Sequence, residues 1–239
     1  TAGKGSSSTE MEERPFNQVK MNQVKLRCPV KHGDIKNLSL GDLVFLDGVL
    51  FTGREGAYRR YLDEGHDPPA PFHDLSNVNF HCSPAATPLK EGGFSIKAVT
   101  GTASFRFGKW MPRWFEQTGC RLIIGKGGMT SKDYRSLFVP HGAVYLTTVG
   151  YGLGATYGRG VKSVREVHWL EELGIAQAIW VLEVENLGPF IVESDLEGRS
   201  LFELSNQEIN RNLLELYQGL PEPVLKRYGE STDRRDEVL

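Results

Sequence analysis

Apolar residues occur along this chain in short runs separated by turn-forming residues, a pattern typical of a strand-rich domain. The runs Leu43–Leu46 and Val49–Thr52 flank the pair Asp47-Gly48. Asp-Gly favours a tight hairpin turn because both residues tolerate positive φ. The sequence therefore predicts a β-hairpin over residues 43–52, followed by a short helix from Arg54 to Leu62.

The remaining pattern predicts strands first and then strands that alternate with helices. A rigid loop is expected at the prolines of 68–71, a second loop at 83–88, and helices at 110–117 and 131–138, the first ended by Gly119 and the second capped by Ser131. Strands are expected at 77–82, 94–99, 121–124, 143–149, 161–169, 178–184 and 189–194. These elements predict an α/β fold that contains a mixed sheet.

The two ends of the chain differ from this globular part. Residues 1–25 are rich in glycine and serine and then charged, and they predict a flexible arm or linker. Residues 26–203 form the predicted domain, and 204–239 a helix with a polar tail. Ser205 and Glu208 have capping-box spacing, and an apolar stripe at helical spacing follows: Ile209, Leu213, Leu216 and Tyr217. We expect this helix to pack on the domain or on a partner.

Composition limits the classes of function. The 239 residues are 39% hydrophobic and 24% charged, with a formal net charge of −2. This balance gives no support to a nucleic-acid or membrane partner, and no apolar run is long enough to cross a bilayer. The cysteines, Cys28, Cys82 and Cys120, are too widely spaced for a disulfide framework or a metal motif. We expect no metal ligands in this chain and a cytoplasmic location.

Candidate chemistry is concentrated at the ends of three predicted elements. Gly101 and Thr102 follow one strand and lead to Arg106, while Gly125 and Lys126 end another. A cation among glycines at a strand end lies where open α/β sheets bind ligands. Arg54 follows the predicted hairpin and opens a helix. A hydroxyl, two guanidiniums and an ammonium suit an anionic substrate such as a carboxylate.

Two other motifs have competing interpretations. Gly150–Ala155 fits a loose dinucleotide fingerprint, but Gly158 and Gly160 interrupt the helix that should follow, so we favour a close-packed glycine turn. His81-Cys82 suggests a nucleophile pair. Because both residues lie within a predicted strand, we expect a structural role for them.

Five collinear segments together resemble a known family. Over roughly Leu26 to Phe202, the chain is similar to the β subunit, or C-terminal domain, of class I iron–sulfur fumarases and L-tartrate dehydratases. The segments that carry the resemblance are Gly41–Arg54, Thr102–Arg106, Ile124–Gly127, His141–Leu146 and Ala178–Glu185.

The resemblance implies a swivelling β/β/α domain that packs on a helical α subunit. That partner would carry a four-iron, four-sulfur cluster, whose iron would polarise the departing hydroxyl group of the substrate. The implied substrate is a hydroxy-dicarboxylate. Its site would contain Arg54, Thr102, Arg106 and Lys126, with Gly101 and Gly125 beside them. Thr102 is implied as the group that transfers the carbon-bound proton, with Lys126 stabilising the charge that develops.

Some positions depart from the family pattern. Glu55 and Tyr58 replace an Asp and a His, Ala103 replaces a Thr, and Phe107-Gly108 replaces Met-Asp. The leading hypothesis, which rests on the five matching segments, is the β subunit of a heteromeric hydro-lyase. A non-catalytic dicarboxylate-binding or assembly partner with the same fold is an alternative, and a dinucleotide-binding oxidoreductase is a weaker one.

Overall fold

In the computed structural model, the described residues are 21–68, 70–150 and 152–219. Nine strands are described: β1 Gln23–Cys28, β2 Leu43–Thr52, β3 Val78–Phe80, β4 Cys82–Pro88, β5 Phe94–Gly101, β6 Leu122–Gly125, β7 Val144–Thr148, β8 Val161–His168 and β9 Ile179–Ser194. The α-helices described are α1 His32–Lys36, α2 Glu55–Tyr58, α3 Phe72–Leu75, α4 Met111–Thr118, α5 Ser131–Asp133, α6 Gly154–Gly160, α7 Leu170–Leu173 and α8 Leu201–Leu216. The predicted flexible arm lies almost wholly outside the described residues, as does the polar tail.

The main sheet is mixed and closes on itself. Within the described residues its strand order is β1-β2-β3-β6-β7-β9-β8, and β9 also pairs with β2. Strands β2, β3, β6, β7 and β9 therefore form a closed, barrel-like sheet. The first four of these are mutually parallel, while β9 is antiparallel to both of its neighbours in the ring. The predicted α/β class and mixed sheet are confirmed.

Alternating side chains of the strands enter two separate cores. On β6, Leu122 and Ile124 belong to one core, and Ile123 belongs to the other. The second core is rich in aromatic residues. It lies between the sheet and the helical segments and includes Tyr58 and Trp114, whose rings meet edge to face at 4.5 Å. This aromatic layer supports the helix that begins after Arg54.

The predicted hairpin at Asp47-Gly48 is wrong. Residues 43–52 form one continuous strand, β2, which pairs with β1 and β3 along one edge and with β9 along the other. A two-residue hairpin turn of this kind needs positive φ at both central residues, and of this pair only Gly48 has it, at +98°. Both apolar runs pair with distant strands instead of with each other.

Gly48 provides a test of this geometry. A Cβ at Gly48 would overlap the main-chain oxygen of Cys28. We expect Gly48→Ala to lower the free energy of unfolding by about 2–4 kcal/mol, because strain at positive φ adds to a backbone clash. Urea unfolding checks this result. Gly33→Ala is the control, since a Cβ there meets no atom within 4 Å; equal effects of the two substitutions would contradict the assignment.

Four further expectations need correction. Residues 83–88 are not a loop: Cys82–Pro88 is strand β4, which pairs with β5 in an antiparallel ribbon. The strands predicted at 178–184 and 189–194 are one strand, β9, whose register shifts against β2 between them. Thr130, not Ser131, caps α5. Ser200, not Ser205, caps α8, which therefore begins at Leu201.

Helices α4 and α8 test two expectations, the helix at 110–117 and the packing of the apolar stripe near the end of the chain. The predicted helix over 110–117 is confirmed as α4, and it ends at Gly119 with φ +65°. Helix α8 is largely exposed: Ile209, Leu213, Leu216 and Tyr217 are 43–73% accessible. The expected packing of this stripe on the domain is therefore not observed. Among the described residues, no helix is both long and apolar enough to cross a membrane.

Candidate functional site at the carboxyl edge of the sheet

The parallel strands bring the candidate residues to one edge. Because β2, β3, β6 and β7 run in the same direction, their carboxyl ends meet there, as in α/β proteins that bind ligands at this edge. Arg54 follows β2, His81 follows β3, Lys126 follows β6 and Gly150 lies just beyond β7. Residues far apart in sequence therefore become neighbours through the strand order.

The segment Thr102–Arg106 enters this edge between the ends of β3 and β6. Strands β3 and β6 are still joined where His81 N donates to Ile124 O at 2.7 Å. One residue further along, Thr102 lies between them. Its N–H donates to His81 O at 2.7 Å, and its carbonyl accepts from Lys126 N at 3.0 Å. The main chain of Thr102 is therefore fixed on both sides, directly beside Lys126.

In this segment Thr102 is half-buried and Arg106 is exposed, while Ser104 between them is buried. The Nη2 of Arg106 donates to Thr102 Oγ1 at 3.2 Å, and the exposed guanidinium lies 5.4 Å from the Phe107 ring centroid. Lys126 is half-buried. It lines a cleft of about 60 Å³ together with Gly101, Thr148, Gly150, Gly154 and Tyr157. The structure thus brings Gly101, Thr102, Arg106, Gly125 and Lys126 together.

Arg54 lies at the end of β2, on the other side of His81. Its Nη1 donates to the carbonyl of Ala176 at 3.0 Å. Its Nε is buried and has no hydrogen-bond partner among the described residues. Adjacent strands lie about 4.8 Å apart, so the ends of β2 and β6, with β3 between them, are separated by roughly 10 Å.

Gly125 is buried, and its lack of a side chain makes room for two others. A Cβ at this position would overlap the hydroxyls of Ser104 and Tyr145. These hydroxyls are 2.8 Å apart. Within the described structure, Gly125 allows the Thr102–Arg106 segment to approach the sheet closely. Its predicted contact with substrate stays a prediction.

Sequence reasoning missed a chain of buried polar side chains beneath this edge. Asn79 Nδ2 donates to the Tyr58 hydroxyl at 2.6 Å, and that hydroxyl lies 2.5 Å from His81 Nε2. The other ring nitrogen, Nδ1, lies 2.6 Å from Ser104 Oγ, which contacts Tyr145. Burial, together with the nearby charge of Arg54, lowers the pKa of His81 to about 3. His81 is therefore a neutral, doubly hydrogen-bonded ring.

One sequence signal indicated this row of hydrogen-bonded side chains: His81 comes directly after an apolar strand that ends at the same edge. Tyr58, Ser104 and Tyr145 gave no signal because their approach depends on three separate elements. The expected structural role of His81-Cys82 agrees with their complete burial.

The dinucleotide fingerprint at Gly150–Ala155 was discounted because Gly158 and Gly160 were expected to interrupt the following helix, and that reason is wrong. Helix α6 does follow it and contains both Gly158 and Gly160. A Cβ at Gly158 would overlap the main chain of Lys97, so the glycines allow α6 to pack closely on β5. Gly150, Gly152 and Gly154 line the same cleft as Lys126. Their position just after β7, at the edge where Lys126 follows β6, was the signal that could have indicated this.

The comparison with known families decides what kind of chain this is. A family model described as "Fumarase C-terminus" matches residues 4–205. The chain belongs to this family. The resemblance to the β subunit, or C-terminal domain, of class I fumarases and tartrate dehydratases is confirmed.

Individual relatives agree with the family match. A Methanocaldococcus jannaschii protein with the provisional name L(+)-tartrate dehydratase subunit beta is 33% identical over 184 residues, which are 77% of this chain and 93% of that protein. The L(+)-tartrate dehydratase subunit beta of Escherichia coli K12 is 31% identical over 74% of this chain and 85% of its own length. A longer Geobacillus stearothermophilus protein, provisionally named a class I fumarate hydratase, is 31% identical over 84% of this chain but only 37% of its own length.

The cysteines of this fumarase C-terminal domain do not fit an iron–sulfur cluster. Cys28, Cys82 and Cys120 are all buried and free, and burial raises the pKa of Cys28 and Cys120 to about 12. Cluster ligation needs several thiolates brought together. The residues that the structure describes contain no group of three or more His, Cys, Asp or Glu side chains arranged to hold a metal.

Proposed function

We propose that this chain is the β subunit of a hydro-lyase that reversibly removes water from a hydroxy-dicarboxylate such as malate or tartrate. The observation that carries the proposal is the insertion of Thr102 between the ends of β3 and β6. It places a hydroxyl, held by Arg106, beside the Lys126 cleft. The names of the relatives supply the reaction class.

Cations would bind the two carboxylates of the substrate. Lys126, at the cleft, would bind one of them. The buried Nε of Arg54 is a donor that a second carboxylate could satisfy, at a strand-end separation of roughly 10 Å. The Arg106 guanidinium is exposed and can turn towards either group.

The proton step would belong to Thr102 and Lys126. Removing the proton α to a carboxylate leaves negative charge on that carboxylate, and a cation fixed beforehand at Lys126 would stabilise it. A threonine hydroxyl is a weak base unless nearby donors stabilise its alkoxide. Arg106, whose Nη2 already donates to Thr102 Oγ1, supplies such a donor. Gly101 would let the substrate approach this pair closely.

Another subunit must complete this site. The residues described here do not fit a four-iron, four-sulfur cluster, so we assign the cluster to a helical α partner and derive no step through it. The barrel-like sheet would act as a swivelling β/β/α domain spanning residues 26–203, with its carboxyl edge facing that partner. The three free thiols are consistent with a reducing cytoplasm.

Reconstitution tests the proposal. The isolated chain is expected to show no hydratase activity and to bind no stoichiometric iron after anaerobic treatment with iron and sulfide. Mixing it with a cluster-bearing α subunit of the same family should produce dehydration of L-malate or L-tartrate, and ultraviolet absorbance of the product measures the rate.

The controls separate the alternatives. The α subunit alone should be inactive. Tight dicarboxylate binding by the mixture without turnover would favour a non-catalytic partner instead. Retention of the chain on an immobilised nicotinamide cofactor would favour a dinucleotide-binding oxidoreductase, and we expect none.

A further inference from the structure

We propose that His81 is a positioning residue for the Thr102–Arg106 segment, acting through Ser104. This inference rests on the proposed function, because it assigns a role to a buried group beneath the proposed site. His81 contacts the segment at two points, two residues apart. Its carbonyl accepts from Thr102 N, and its Nδ1 lies 2.6 Å from Ser104 Oγ.

The chain of hydrogen bonds holds the ring from both sides. With Asn79 donating to Tyr58, the Tyr58 proton is directed to His81 Nε2. A neutral ring then carries its proton on Nδ1 and donates to Ser104 Oγ, which lies 2.8 Å from the Tyr145 hydroxyl. Each ring nitrogen of His81 therefore has one hydrogen-bond partner, and the hydroxyls of Tyr58 and Ser104 have two each.

Burial separates this role from catalysis by Ser104 itself. Ser104 and His81 have the spacing of a nucleophile and its base, but Ser104 is 1% exposed and His81 is fully buried. The His81 ring lies edge-on to Phe107, with the ring centroids 4.9 Å apart, within the aromatic layer. No substrate reaches these groups in this arrangement, so their influence must pass through the position of Thr102.

His81 also connects the segment to the sheet. Its main-chain N–H donates to Ile124 O, and Tyr145, which contacts Ser104, belongs to β7. The contacts of Ser104 therefore fix it relative to β3, β6 and β7. Gly125 leaves the space in which Ser104 and Tyr145 meet. Misplacing a reacting group by about 1 Å can cost roughly 100-fold in rate, which is the scale expected if this clamp is lost.

Two substitutions of His81 distinguish positioning from a general structural role. The amide of Asn reaches the place of Nδ1 and can keep the bond to Ser104, whereas the amide of Gln reaches the place of Nε2 and loses it. In the reconstituted complex, His81→Gln is expected to lower kcat by about 10- to 100-fold with KM within about threefold. His81→Asn should retain kcat within about fivefold. Ser104→Ala, a smaller change, should behave like His81→Gln.

Amide hydrogen exchange of the full chain gives a readout that needs no activity. The Thr102 amide should exchange at least about tenfold faster in His81→Gln and Ser104→Ala than in the wild type, and stay protected in His81→Asn. Ser163→Ala, at an exposed position on β8, is the matched control and should change neither quantity. Urea unfolding confirms that each variant compared is folded.

Three results would overturn the proposal. They are equal impairment by His81→Asn and His81→Gln, a rise in KM with unchanged kcat, and unaltered Thr102 exchange in both His81→Gln and Ser104→Ala. If the wild-type complex proves inactive, the hydro-lyase assignment fails while the exchange measurement still decides the positioning role.

Discussion

Replacing Lys126 by alanine is expected to reduce kcat/KM for the hydroxy-dicarboxylate by roughly 30- to 1,000-fold in the reconstituted complex. The substitution removes a half-buried ammonium from the cleft that it shares with Gly101. Loss of one charge-assisted contact in such a place costs about 2–4 kcal/mol, which corresponds to that range. Because Lys126 is proposed to stabilise charge that develops during proton removal, kcat should account for most of the loss.

Steady-state kinetics with a matched variant checks this expectation. Lys132→Ala removes an exposed lysine from α5, six residues away in sequence, and should leave kcat and KM unchanged. If Lys126→Ala raised KM while kcat held, Lys126 would bind the ground state only. A change below about threefold in both constants would remove Lys126 from the site altogether.

Replacing Thr102 by valine is expected to lower kcat by about 100-fold or more while the substrate still binds. Valine keeps the shape of threonine and removes only the hydroxyl that accepts from Arg106 Nη2. The main-chain bonds of Thr102 to His81 and Lys126 do not depend on that hydroxyl, so the cleft should keep its geometry. The loss should therefore appear in the chemical step.

Two measurements separate proton transfer from binding. One is the kcat and KM pair, and the other is exchange of the substrate's carbon-bound hydrogen with deuterated solvent. Thr87→Val, on the exposed part of β4, is the control and should match the wild type. Normal exchange and normal kcat in Thr102→Val would leave Arg54, Arg106 and Lys126 as a binding cradle and exclude Thr102 from catalysis.

Local sequence determined the class of the elements and many of their positions. The apolar runs around Ile124 and Leu146 are confirmed as strands because they are buried on both faces, and Gly119 ends α4 because it adopts positive φ without strain. Asp47-Gly48 shows the limit of such signals. Its turn propensity was outweighed by ladders to β1 and β9, which come from distant parts of the chain.

The candidate site was likewise predictable from the sequence only in part. The sequence by itself determined the residue types after each strand, namely Arg54, Thr102 with Arg106, and Lys126, and the family they belong to. Only the tertiary structure decided that Thr102 enters between β3 and β6, and that Tyr58, His81, Ser104 and Tyr145 form one buried chain. The physical reason is that strand order and the fit at Gly125 are set by contacts between residues far apart in sequence, which no local pattern records.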